Sequence, residues 1–165
     1  MAEKLGGTHF ITVAEMALSP ASARGSLFTA LGYPNSKNRK YNPKKLTVKP
    51  RLLPYSSVHV LDLDIAKTLP NGGADHIFMT YGKQSRDTDG KVVNSASPKG
   101  MSGGMIIDAG KPADLEVLVG SKTPQLLLAG IVIELKKKRI LLGVRLSVVV
   151  PHLLKEFATG EALPK

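Results

Sequence analysis

The sequence predicts an all-β protein, an antiparallel β-barrel followed by a C-terminal helix. Short, partly alternating apolar runs recur along the chain between clusters of Pro, Gly, Asn and Lys. That spacing belongs to sandwiches and barrels rather than to alternating βα units. The one pattern of clear helical character lies at the end of the chain.

Strands are expected at "SLFTALGY" (26–33), "LTVKPRLL" (46–53), "SVHVLDL" (57–63) and "HIFMTY" (76–81). Further strands are expected at "MIID" (105–108), "LEVLVG" (115–120), "LLLAGIVIEL" (126–135) and "RILLGVRL" (139–146). Val, Ile, Leu and Phe dominate these runs, as a half-buried pleated surface requires. In "SVVVPHLLKEFATG" (147–160) Ser147 can cap a helix, Pro151 can sit in the first turn and Gly160 can end it. Three loops remain, "NSKNRKYNPKK" (35–45), "GKQSRDTDGKVVNSASPKG" (82–100) and "ELKKKRI" (134–140). The domain division follows: residues 1–25 as a lead-in, and 26–165 as one barrel domain with its terminal helix.

At 165 residues the chain can build one sizeable core. Hydrophobic residues make up 42% and charged residues 22%, the proportions of a globular protein. Trp is absent, so the core falls to Leu, Ile, Val and Ala. With no Cys, disulfides, thiolate metal sites and a cysteine nucleophile are excluded. The N-terminus lacks a basic head followed by an unbroken apolar stretch, and "LLLAGIVI" falls well short of the roughly 20 residues that span a bilayer. A cytoplasmic protein without a membrane partner is the expectation. The net charge of +10 favours polyanionic partners.

"SPKGMSGGMI" (97–106) carries the chemistry, because a serine there sits among three glycines just before an apolar run. "GMSGG" resembles the nucleophile segment of the trypsin-like (chymotrypsin-fold) serine peptidases, Gly-x-Ser-Gly-Gly. "ALGYP" (30–34) resembles the strand and turn opening the second barrel of bacterial members, "LAGIVIE" (128–134) the strand that walls the specificity pocket, and "GVRLSVVVPHLL" (143–154) the last strand entering the C-terminal helix. The four segments occur in the family's order. The resemblance implies the second barrel of a two-barrel fold, and hydrolysis of peptide bonds through an acyl-enzyme. Ser102 would be the nucleophile, the N–H groups of Gly100 and Ser102 would form the oxyanion hole, and Gly130, Ile131 and Val132 would bind substrate. Ala96, six residues before the serine, would form the base of the primary pocket, and its apolar side chain argues against a preference for Lys or Arg. No cofactor or metal is implied.

The pattern breaks upstream. In the family the base precedes the serine by about 140 residues and the aspartate by about 90. Ser102 has 101 residues before it, and Asp62 is the first aspartate. The expectation is a truncated unit whose His- and Asp-bearing first barrel is missing, inactive alone. His59, followed by Asp62 and Asp64, keeps the His, Asp, Ser order and is the one internal candidate base, although its strand-like neighbours Val58 and Val60 suit a structural histidine. His9, His76 and His152 suit surface or structural roles. Asp62 and Asp64, two apart, would share one solvated face of a strand.

A lone barrel would expose the apolar face that normally meets its partner, so a homodimer or a separate first-barrel polypeptide is the expected partner besides a peptide or protein substrate. The alternative is a non-catalytic barrel binding nucleic acid or another anionic partner through its basic loops. Lys37, Arg39, Lys40, Lys44 and Lys45 surround Tyr41, and Lys136 to Arg139 form "KKKR". The competing explanation for "KKKR" is a hairpin tip between two apolar strands.

Overall fold

The computed structural model describes residues 11–19, 26–35, 41–42, 47–48, 51–87, 89–111, 123 and 125–159. Their strands are β1 (Leu27–Gly32), β2 (Tyr41–Asn42), β3 (Thr47–Val48), β4 (Leu53–Val58), β5 (His76–Thr80), β6 (Gln84–Arg86), β7 (Val92–Asn94), β8 (Met105–Asp108), β9 (Leu127–Lys136) and β10 (Ile140–Arg145). The α-helices are α1 (Leu63–Ala66) and α2 (Leu146–Thr159).

Six strands form one antiparallel sheet in the order β4-β1-β8-β9-β10-β5. The sheet curls until its outer strands approach. His59, just after β4, bridges Met79 of β5, and the Val60 N–H donates to the Phe78 carbonyl at 3.0 Å. Bulges between Ile106 and Ile107 and between Leu142 and Gly143 break the register and help the strands bend. The fold is thus mostly β, a curled antiparallel sheet with one long C-terminal helix.

The curl explains the sequence pattern. In β1 alternate residues Phe28, Ala30 and Gly32 are buried, and they point into the curl. Phe28 and Ala30 meet Ile77, Met79, Tyr81, Met101, Ile106, Ala129, Val132 and Leu141 in one core cluster. Strands β5 and β10 also bury their outer faces, where Phe78, Ile140 and Leu142 pack beneath Ala66, Ile65 and Leu69 of the α1 segment. Buried on both sides, these two strands read as unbroken apolar runs.

Several boundaries differ from expectation, each for a local reason. The run 57–63 does not continue as a strand, because the Asp62 carboxylate accepts the N–H groups of Asp64 (3.1 Å) and Ile65 (3.0 Å) and starts α1. Asp62 and Asp64 are therefore a helix cap and its neighbour, not two residues on one strand face. In 46–53, Thr47–Val48 form β3, which pairs with β2, and Arg51 and Leu52 separate it from β4. The loop 82–100 contains a hairpin, β6 with β7, whose turn is held by Asp87 accepting from the N–H groups of Asp89 and Lys91. Helix α2 begins at Leu146, so Ser147 is inside it and Pro151 lies beyond the first turn. The strand expected at 115–120, most of the loop 35–45 and Gly160 lie outside the described residues.

The basic run "KKKR" is the tip of the β9–β10 hairpin, as expected. Lys138 (φ 59°) and Arg139 (φ 58°) are both left-handed there, a conformation that costs energy in residues with a Cβ. Lys138 bridges Asp64 (2.6 Å) and Asp62 (3.5 Å), while Arg139 donates to the carbonyls of Tyr81 (2.7 Å) and Gly82 (3.0 Å). These contacts offset the backbone cost. Helix α2 buries Leu146 but leaves Leu153, Leu154 and Phe157 exposed. Among the described residues no helix is long and apolar enough to cross a membrane.

The core predicts a contrast between two phenylalanines. Phe28 is fully buried and Phe157 is 81% exposed. Phe28→Ala should cost about 3–5 kcal/mol in urea unfolding, and Phe157→Ala less than about 0.5 kcal/mol. Equal losses would mean that the inner cluster is not the core.

Candidate active site

The serine lies on a turn whose position is set by its neighbours. Pro98 and Met101 are buried, anchoring the segment from within. The Met101 N–H donates to the Pro98 carbonyl (2.9 Å) and the Gly104 N–H to the Met101 carbonyl (2.8 Å), closing two successive turns. The Gly103 N–H then donates to the Val132 carbonyl, and the Val132 N–H to the Gly104 carbonyl, both at 2.8 Å. The serine turn is thereby tied to β9. Ser102 itself is exposed at the tip.

Two glycines are required here. Gly100 has φ +93°, and a Cβ there would run into the Asn35 side chain. Asn35 is fixed in turn by its N–H donating to the Lys99 carbonyl at 2.8 Å. At Gly104 a Cβ would strike the Leu31 carbonyl oxygen and come within 2.8 Å of that of Met101. The Gly104 clash is with backbone, and at Gly100 the positive φ already disfavours a side chain.

Beside the serine is an open cleft of about 290 Å³. Residues 97–100 and Ser102 form one wall, and residues 132–135 with Leu141 form the other. Pro98, Val132, Ile133, Leu135 and Leu141 make the interior largely apolar. Glu134 is held by Lys136 at 2.5 Å. Among the described residues, no acceptor meets the N–H groups of Gly100 or Ser102, and the Ser102 hydroxyl has no hydrogen-bond partner. Two N–H donors on residues lining a cleft, next to an exposed hydroxyl, can receive a negatively charged oxygen.

Of the residues expected to bind substrate, Val132 lines the cleft. Gly130 and Ile131 do not, since they pair with Ile106 and Met105 of β8. Ala96 is also absent from the lining, and its carbonyl accepts the Tyr81 hydroxyl at 2.7 Å. Burial, then the neighbouring Tyr55, push the Tyr81 phenol up to about 12, so it remains a donor. The wall begins where "LAGIVIE" leaves β8. Ile133 and Glu134 fall within "LAGIVIE", the strand expected to wall the pocket, whereas Leu135, Leu141 and Lys99 were not foreseen.

The structure does not bring His59 to Ser102. The His59 N–H donates to the Ser26 carbonyl, before the start of β1, whereas Gly104 packs against Leu31 near the other end of that strand. Five residues of strand separate these points, roughly 16 Å at about 3.3 Å per residue. His59 instead packs edge-on between Phe28 and Phe78, and its Nδ1 accepts the Phe78 N–H at 3.2 Å. Burial first, and the charge of Arg145 second, lower its pKa. His76 opens β5 with its Nδ1 buried and without a partner among the described residues, and burial lowers its pKa too. His152 is exposed on α2, and His9 lies outside the described residues.

Among the described residues there is no cluster of three or more metal-ligating side chains. The basic tip is largely occupied within the molecule, Lys136 by Glu134, Lys138 by Asp62 and Asp64, and Arg139 by two carbonyls. The Ile65 N–H first, then the charge of Lys138, hold the Asp62 carboxyl below the ordinary carboxylate range. Lys37, Arg39, Lys40, Lys44 and Lys45 lie outside the described residues.

Two predictions follow from these contacts. A histidine whose folded pKa lies below its ordinary 6.5 gives its full stability above that value and loses it as pH falls below it, because the unfolded chain binds the proton more readily. The urea midpoint should therefore fall between pH 7.5 and pH 5, and His59→Phe should flatten that fall, with His76 supplying the remainder. A midpoint that is level across this range would refute the assignment. Gly104→Ala should cost about 1–3 kcal/mol by overpacking against fixed carbonyls, and unchanged thermal stability would show that the turn is not clamped there.

Comparison with known proteins leaves these contacts to speak for the site: no protein-family model matches the chain, and no curated protein shows significant similarity to it.

Proposed function

We propose that the chain is the serine-bearing barrel of a trypsin-like serine peptidase, with Ser102 as nucleophile. In this reading the Ser102 oxygen attacks a peptide or ester carbonyl, and the N–H groups of Gly100 and Ser102 receive the developing oxyanion. The observation that carries it is the pair of N–H groups on either side of Met101 that have no acceptor among the described residues, beside an exposed serine at the edge of an apolar cleft. The curled antiparallel sheet, with a helix directly after its last strand, supports a barrel of that family.

The apolar interior favours an aliphatic or aromatic residue before the scissile bond, since a Lys or Arg side chain would meet Glu134 already paired with Lys136. The general base would be a histidine from outside the described residues, with its own orienting carboxylate. Until it is supplied, the hydroxyl keeps its proton and turnover is negligible.

Labelling with a fluorophosphonate probe, with the adduct located by mass spectrometry, tests the nucleophile. Slow modification confined to Ser102 is expected, abolished in Ser102→Ala. Its rate should climb steadily with pH rather than level off near neutrality as a histidine base would make it. A folded chain that gives no adduct at Ser102 even at the highest pH at which it stays folded, where no histidine base is needed, would exclude the reading.

A further inference from the structure

We infer that the cleft captures the C-terminus of a peptide, holding a free α-carboxylate at the serine turn and an apolar last side chain between the walls. The inference shares its site with the proposed peptidase but requires no bond to be broken.

The donors around the turn exceed what a neutral carbonyl needs. The N–H groups of Gly100 and Ser102 have no acceptor among the described residues, the Ser102 hydroxyl has no partner, and Lys99 adds a positive charge to the same wall. No histidine reaches the hydroxyl among the described residues, so it stays a donor. On the opposite wall the carboxylate of Glu134 is neutralised by Lys136. A group with two anionic oxygens satisfies this arrangement, and hydrogen bonds to a charged acceptor are about twice as strong as those to a neutral one.

The rest of the cleft defines what accompanies the carboxylate. Pro98, Val132, Leu135 and Leu141 surround room for a single aliphatic or aromatic side chain. Beyond Val132, β9 has β10 on one side and, among the described residues, no strand on the other. An extended peptide can therefore add to β9 along Ile133 to Leu135 while its last residue enters the cleft. Strand addition combined with carboxylate capture by backbone N–H groups is a recurring mode of peptide recognition.

Fluorescence anisotropy on the full chain tests this with a labelled octapeptide ending in leucine, as the free acid and as the C-terminal amide. The acid should bind about tenfold more tightly or better, an advantage that shrinks in Lys99→Ala and in high salt. Ser102→Ala should keep most of the preference, because it retains the N–H. Equal binding of acid and amide, or binding of neither to a chain shown to be folded by circular dichroism, would overturn the inference. N-acetyl-leucine competing as well as the octapeptide would overturn its strand-pairing half and assign the site to a small carboxylate. Fluorophosphonate labelling of the same samples separates the two proposals. Labelling without acid preference leaves only the peptidase, whereas acid preference without labelling leaves only the carboxylate site.

Discussion

Everything at the candidate site depends on one reciprocal pair of hydrogen bonds, from the Gly103 N–H to the Val132 carbonyl and from the Val132 N–H to the Gly104 carbonyl. This pair ends the contact between the serine segment and β9, so beyond Val132 the two diverge and the cleft opens. It also fixes the turn between Pro98 and Gly104, whose buried members anchor it to the core. A turn held only by its own short-range bonds would be free to present Ser102 in many orientations. Here the backbone on both sides of the serine is committed, as a preorganised donor site requires.

The core explains why such a turn can be held so firmly in a protein with few aromatic residues. The curled sheet buries one face against itself, and β5 and β10 bury the other beneath α1. Phe28, Phe78 and Tyr81 supply the bulk, and His59 fills the space between the two phenylalanines. A residue that the order of the chain nominates as a base is thereby used as packing. A ring enclosed by aromatic edges, with one nitrogen accepting a backbone N–H, has little freedom to move protons for a distant hydroxyl.

Much of this was legible from sequence. Alternation marked β1, and unbroken apolar runs marked β5 and β10, because burial on one or two faces leaves a direct trace in residue type. The glycines around Ser102 announced a tight turn. What could not be read was decided by side chains acting across the fold. Asp62 turned an expected strand into a helix start by capping it with its side chain, a local hydrogen-bonding alternative to strand pairing. Of Gly130, Ile131 and Val132, expected to bind substrate, the cleft keeps Val132 and continues to Leu135, because pairing with β8 occupies the first two. Register between strands is a tertiary quantity, and residue type records it only weakly.

The tip of the β9–β10 hairpin is held at two points. Its two left-handed residues are stayed in different ways, Lys138 by exposed carboxylates and Arg139 by neutral carbonyls. Mobile ions screen the first and barely touch the second. Added electrolyte therefore weakens the hold on Lys138 while the hydrogen bonds of Arg139 to the Tyr81 and Gly82 carbonyls keep the tip in place.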